Sequence, residues 1–182
     1  MFKQNEEIML AYLFVALAVA VRFMDHPFTF TPVAAALLFF GARGSRRYMW
    51  VPAAALAVSD VLLTKFHYHY PFTWDHYVSW IWYAAILLLG TTLRENAKPL
   101  RLVGASLASS VSFFLLSNFA VWACWDMYPK NFSGLMTSYT LALPFFRNAV
   151  IGDLLFTALM FSTPVVVRAL NGASAKDHTA AA

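Results

Sequence analysis

Long apolar runs separated by short polar connections set the pattern of this chain. The runs cover residues 8–21, 30–42, 50–63, 77–93, 102–125 and 149–167. A helix that crosses a bilayer needs about 20 residues, with a range of about 17–25. The fifth and sixth runs meet this outright, and the fourth sits at its lower limit. The first three need flanking residues, a thin bilayer or shielding by neighbours. The run at 30–42 could also form a re-entrant hairpin. The pattern predicts an all-α, polytopic membrane protein with six transmembrane helices in a single domain over residues 1–170. A polar, alanine-rich tail at 171–182 is expected to be disordered. The first run is as short as a signal-peptide core, and Ala16-Leu17-Ala18 resembles a cleavage site. Glu6 and Glu7 stand where a signal peptide would be basic, so the run reads as the first helix.

Composition agrees with the pattern. The chain is 60% hydrophobic and 12% charged over 182 residues, where a soluble domain would be about a quarter charged. Its mean hydropathy is +0.60. The net charge of +4 comes from loop residues that orient the chain. Arg43, Arg46 and Arg47 fill the second connection, Arg94, Lys98 and Arg101 the fourth, and Arg168 and Lys176 follow the last helix. With Lys3 these are nine of the 13 basic residues. The opposite connections hold only Lys65 and Lys130, and Arg22 and Arg147 lie at expected helix ends. The positive-inside rule places both termini in the cytoplasm after six crossings. No basic stripe interleaved with aromatics points to nucleic acid.

The candidate chemistry sits where polar residues interrupt apolar runs: Arg22, Asp60, Asn118, Arg147 and Asp153. A charge at mid-membrane costs about 2.5–3.5 kcal/mol and faces a partner or a wet cavity. In the expected topology all five fall toward the outer face. Asp60, Asn118 and Asp153 would form the floor of an outward-facing pocket, with Arg22, Arg147 and Asn148 at its rim. Arg–Asp pairs that merely tie helices together are the alternative. The connection at 67–80 is dense in aromatics and would cover the pocket, with Trp74 in contact with a flat, ring-containing ligand. An interfacial aromatic belt explains the same residues without a ligand.

Other motifs add little. His67, His69, His76 and Cys124 are weak candidates for a metal site, because no helical His pair or Cys pair backs them. The expectation is no metal and no cofactor. The lone cysteine excludes an internal disulfide. No nucleotide-binding loop, nucleophile elbow or Rossmann glycine pattern occurs, and Asp60 and Asp153 lack a nucleophile–base pair, so no enzyme is expected. Ser106, Ser109, Ser110 and Ser117 recur at helical spacing and mark a close helix contact, and Ala16 with Ala20 forms a second small-residue seam.

The segment His26-Pro27-Phe28-Thr29-Phe30-Thr31-Pro32-Val33-Ala34-Ala35 resembles the opening signature of an uncharacterised bacterial family of membrane proteins assigned to transport. Val51-Pro52 with Ser59-Asp60, Ser117-Asn118-Phe119, Tyr128-Pro129, and Ala142-Leu143-Pro144-Phe145-Phe146-Arg147-Asn148 with Gly152-Asp153 resemble its later signatures. The likeness spans about residues 10–165 and departs at Thr29, where that family carries Asn. The family is similar to the substrate-binding S components of energy-coupling factor (ECF) vitamin transporters. The resemblance implies an S-component-like six-helix fold in the bacterial cytoplasmic (inner) membrane and an outward pocket for a vitamin or cofactor precursor. It also implies a transmembrane coupling protein docked on Ala16 and Ala20, with ATPase subunits beyond it. The rival expectation is a structural or assembly subunit of a larger membrane complex with no ligand of its own.

Overall fold

The computed structural model describes residues 2–24 and 30–180, with side chains described for 4–24 and 30–170. Asp25, His26 and Thr29, and the side chains of the tail expected to be disordered, lie outside the described residues. Every apolar run becomes a helix: α1 (Phe2–Val21), α2 (Val33–Arg43), α3 (Trp50–Leu62), α4 (Asp75–Thr91), α5 (Pro99–Cys124) and α6 (Phe132–Ala180). No strand occurs among the described residues. A 3-10 turn at Arg46–Tyr48 leads into α3, and a π-helical stretch at Leu63–Tyr68 prolongs it. That stretch stops at His69, whose φ of 56° is left-handed.

Among the described residues, four helical segments are long and apolar enough to cross a bilayer: Gln4–Val21, Arg46–Tyr68, Pro99–Cys124 and Phe132–Leu170. The chain is therefore a helical membrane protein by the length and composition of its helices. α4 has 17 residues and α2 has 11. At 1.5 Å per residue α2 is only about 16 Å long, roughly half the hydrocarbon thickness.

This short helix is the hub of the fold. Every residue from Val33 to Ala42 is buried, and α2 packs on α1, α4, α5 and α6. A helix that is apolar all round belongs in an interior, and the neighbouring rings confirm the fit. Tyr12 meets Phe40 edge-on at 5.1 Å, Phe14 meets Phe39 at 5.0 Å, and Phe161 meets Phe39 at 5.1 Å. Gly41 and Gly90 let α2 and α4 touch backbone to backbone. A Cβ on Gly41 would lie 2.2 Å from the Leu87 carbonyl and 2.8 Å from Gly90 Cα.

Polar contacts fix the direction of each helix. Glu7 of α1 pairs with Arg43, at 3.7 Å, and with Arg168. Arg94, just past α4, donates to the carbonyls of Gly41 (2.8 Å) and Gly44 (3.3 Å). The start of α1, the ends of α2 and α4, and residue 168 of α6 thus share one end of the molecule, and that end is basic. At the opposite end Arg22, just past α1, reaches α3. α5 and α6 run antiparallel, since Ser110 meets Asp153 and Trp122 meets Pro129. Successive helices therefore alternate in direction.

The start of α6 differs from expectation. The sequence places a helix end at Arg147-Asn148, but α6 begins at Phe132. Hydroxyls that break the apolar run fold back on their own helix: Thr137 donates to Ser133 O and Thr140 to Met136 O. Others dock on α5, where Ser138 donates to Asn118 O and Tyr139 to Leu115 O. Asn131 accepts from the Gly134 amide at 2.9 Å and starts the helix, as a capping side chain does. In the turn before it, the Lys130 ammonium donates to the carbonyls of Trp122, Ala123 and Trp125 and so caps the end of α5.

Candidate functional site

Arg22 stands where α1 runs out, with its guanidinium turned onto α3. One nitrogen donates to Ser59 Oγ (2.6 Å) and to the Leu56 carbonyl (3.3 Å). The other pairs with Asp60 Oδ1. From α4, Trp80 Nε1 donates to Asp60 Oδ2 at 2.9 Å and Tyr83 OH to Oδ1 at 3.2 Å. Both carboxylate oxygens are engaged, and the Asp60 side chain is 9% exposed. A buried ion pair is tolerable only when further hydrogen bonds satisfy its remaining atoms. The cluster meets that condition and joins α1, α3 and α4.

Asp153 lies on α6, buried, and has a different environment. Its Oδ2 accepts from Ser110 Oγ of α5 at 2.6 Å. Among the described residues Ser110 is its one hydrogen-bond partner, and no cation pairs with it.

Between these two centres lies a cavity of about 490 Å³. Arg22, Asp60 and Tyr83 line one side of it and Asp153 another. Trp82, Phe113 and Tyr68 supply aromatic wall, and Thr64 and His67 of the π-helical stretch border it. This volume falls within the roughly 300–1,000 Å³ of small-molecule sites, which combine apolar walls with a few fixed polar groups. The cavity lies at the end of the molecule opposite the Glu7, Arg43, Arg94 and Arg168 cluster.

Arg22, Asp60 and Asp153 thus line one cavity. Asn118 does not join them: it donates to Phe114 O of its own helix and lines a separate cleft of about 270 Å³ between α5 and α6. Arg147, expected to face inward, is exposed and makes no hydrogen bond or ion pair with another described residue. It stands six positions before Asp153, so at about 100° per residue the two side chains point about 120° apart. Asn148 is half-buried one position further on and borders neither cavity. Trp74 is 75% exposed and packs on Tyr77 at 5.2 Å. From the aromatic connection, His67 and Tyr68 reach the cavity, and Trp80 reaches Asp60.

The histidines serve the connection itself. His76 Nε2 contacts Thr64 Oγ1 (2.9 Å) and its Nδ1 contacts the Thr73 carbonyl (3.1 Å). His69 Nδ1 lies 3.3 Å from His67 O, and Cys124 is a free, half-buried thiol. No three His, Cys, Asp or Glu side chains converge on a metal position among the described residues. Ala16 and Ala20 are exposed on a face shared with Met9, Leu13 and Leu17, whereas the internal seam of α1 uses Ala11 and Ala18. Sequence reasoning missed Trp80 and Tyr83 as partners of Asp60. Their signal was available: two polar-tipped aromatics one turn apart on a helix.

Fold and site together describe a polytopic helical membrane protein with a polar-lined cavity near one end. The chain belongs to the family of unknown function DUF6580, whose model matches residues 2–174. No curated protein matches it, and no solved structure does.

Proposed function

We propose that this protein captures a small, ring-containing molecule in the cavity between the Arg22–Asp60 cluster and Asp153, as the membrane-embedded component of an uptake system. The observation that carries the reading is a cavity of about 490 Å³ whose lining includes a buried carboxylate, Asp153, without a cationic partner among the described residues. Helices locked only for structure would have no use for an open volume beside an uncompensated acid. The Arg22–Asp60 cluster alone suits a structural subunit equally well, since it is internally satisfied.

Six crossings put both termini in the cytoplasm and open the cavity outward, the basic end facing in under the positive-inside rule. α2 would cross as a short, fully shielded element. The resemblance to S components adds a coupling membrane protein on the exposed Ala16–Ala20 face, ATPase subunits, a vitamin-like cargo and the bacterial inner membrane. The test is purification from native membranes, extraction, and mass spectrometry of the released small molecules. A single compound retained near one per chain supports capture. Protein that is always empty favours the structural subunit.

A further inference from the structure

Below Asp153 the structure holds two hydroxyls that no other described residue satisfies. Ser106 Oγ and Thr157 Oγ1 are buried without a hydrogen-bond partner among the described residues, with Ser106 0% and Thr157 2% exposed. A buried hydroxyl without a partner is costly, and native interiors contain few of them.

Their placement is specific. α5 and α6 are antiparallel and meet where Ser110 donates to Asp153. Ser106 is one turn before Ser110 on α5, and Thr157 is one turn after Asp153 on α6. Residues four apart share a helix face, so both orphans descend in the same direction from the Ser110–Asp153 contact. They arrive at a common level, about 6 Å below it. Behind lies α2, which packs on both helices and is apolar from Val33 to Ala42, so it offers no side-chain donor or acceptor.

The seam therefore holds one carboxylate and three hydroxyl oxygens. Such a set suits a hard cation, for which oxygen ligands are preferred. One carboxylate balances one positive charge, whereas a divalent ion would leave an excess charge buried. We propose that Asp153, Ser110, Ser106 and Thr157 form a binding site for a monovalent, sodium-sized cation in the α5–α6 seam beneath the cavity. Asp153 borders both the cavity and the seam, so occupancy of the site sets the charge met by anything in the cavity. The site does not depend on the capture reading and can be tested without a ligand.

The experiment follows thermal unfolding of the full-length, purified protein by tryptophan fluorescence during titration with sodium chloride, with choline chloride holding ionic strength constant. The melting temperature is expected to rise with sodium and saturate. Asp153→Asn should abolish the rise. Should that variant fail to fold, Thr157→Val and Ser106→Ala, which remove only orphan oxygens, should each shift the sodium midpoint upward about 10-fold, equivalent to about 1.4 kcal/mol. A wild-type protein whose melting is the same in sodium and choline overturns the proposal. So does a dependence on sodium that survives unchanged in Thr157→Val and Ser106→Ala. Loss of sodium dependence with a small molecule still retained would remove the cation site and leave capture standing.

Discussion

At the residue scale, Asp60 is the polar keystone, because one carboxylate serves Arg22, Trp80 and Tyr83. Removing one member of a buried pair costs about 3–5 kcal/mol, since the remaining charge loses its partner. Asp60→Ala should therefore lower stability by about that amount, while Asp126→Ala, in the exposed α5–α6 turn, should leave melting unchanged. Trp80→Phe keeps the ring but drops one donor to a charged acceptor, and should cost about 1.5–3 kcal/mol. Denaturation of the three variants in detergent ranks them. Arg22, Asp60 and Asp153 were legible in the sequence because a charge inside an apolar run must find something. Arg147 was legible only as a charge. Its azimuth, about 120° from Asp153, sends it outward, and reading depth without azimuth misplaced it. Trp80 and Tyr83 were hidden because an aromatic near a membrane end serves a belt as readily as a buried acid.

At the scale of elements, helix positions followed from the apolar runs, and α1 to α5 lie close to them. α2 could not be understood locally. The mostly apolar run at 30–42 permits a span or a hairpin, and only contacts with four other helices decide that it forms the centre. The first part of α6 was illegible for another reason. Its Ser, Thr and Pro residues look like a loop until their hydroxyls are seen bonded to carbonyls of α5 and α6. The α2–α4 crossing yields a sharp contrast. Gly41→Ala puts a methyl 2.2 Å from the Leu87 carbonyl, so the helices must part, and folded yield should collapse. Gly104→Ala meets nothing within 4 Å and should stabilise α5 by up to about 1 kcal/mol. Size-exclusion profiles and melting curves of the two variants check both directions.

At the scale of the whole molecule, charge and shape are polarised along the helix axes. Glu7, Arg43, Arg94 and Arg168 gather at one end, and the cavity lies toward the other. Helices of alternating direction join the two ends. With Cys124 replaced, a cysteine at Ser45 should be shielded from an impermeant thiol reagent in intact cells, and one at Tyr70 should be labelled. Labelling of position 45 from outside would invert the molecule and turn the cavity inward. Native mass spectrometry of the intact protein tests most directly whether the cavity is occupied. Ala149 borders the cavity, so Ala149→Phe should fill part of it. Wild-type protein is predicted to carry one small molecule lost on collisional activation, and a normally melting Ala149→Phe variant to carry none. Equal spectra from the two, whether both bare or both loaded, would contradict capture at this cavity.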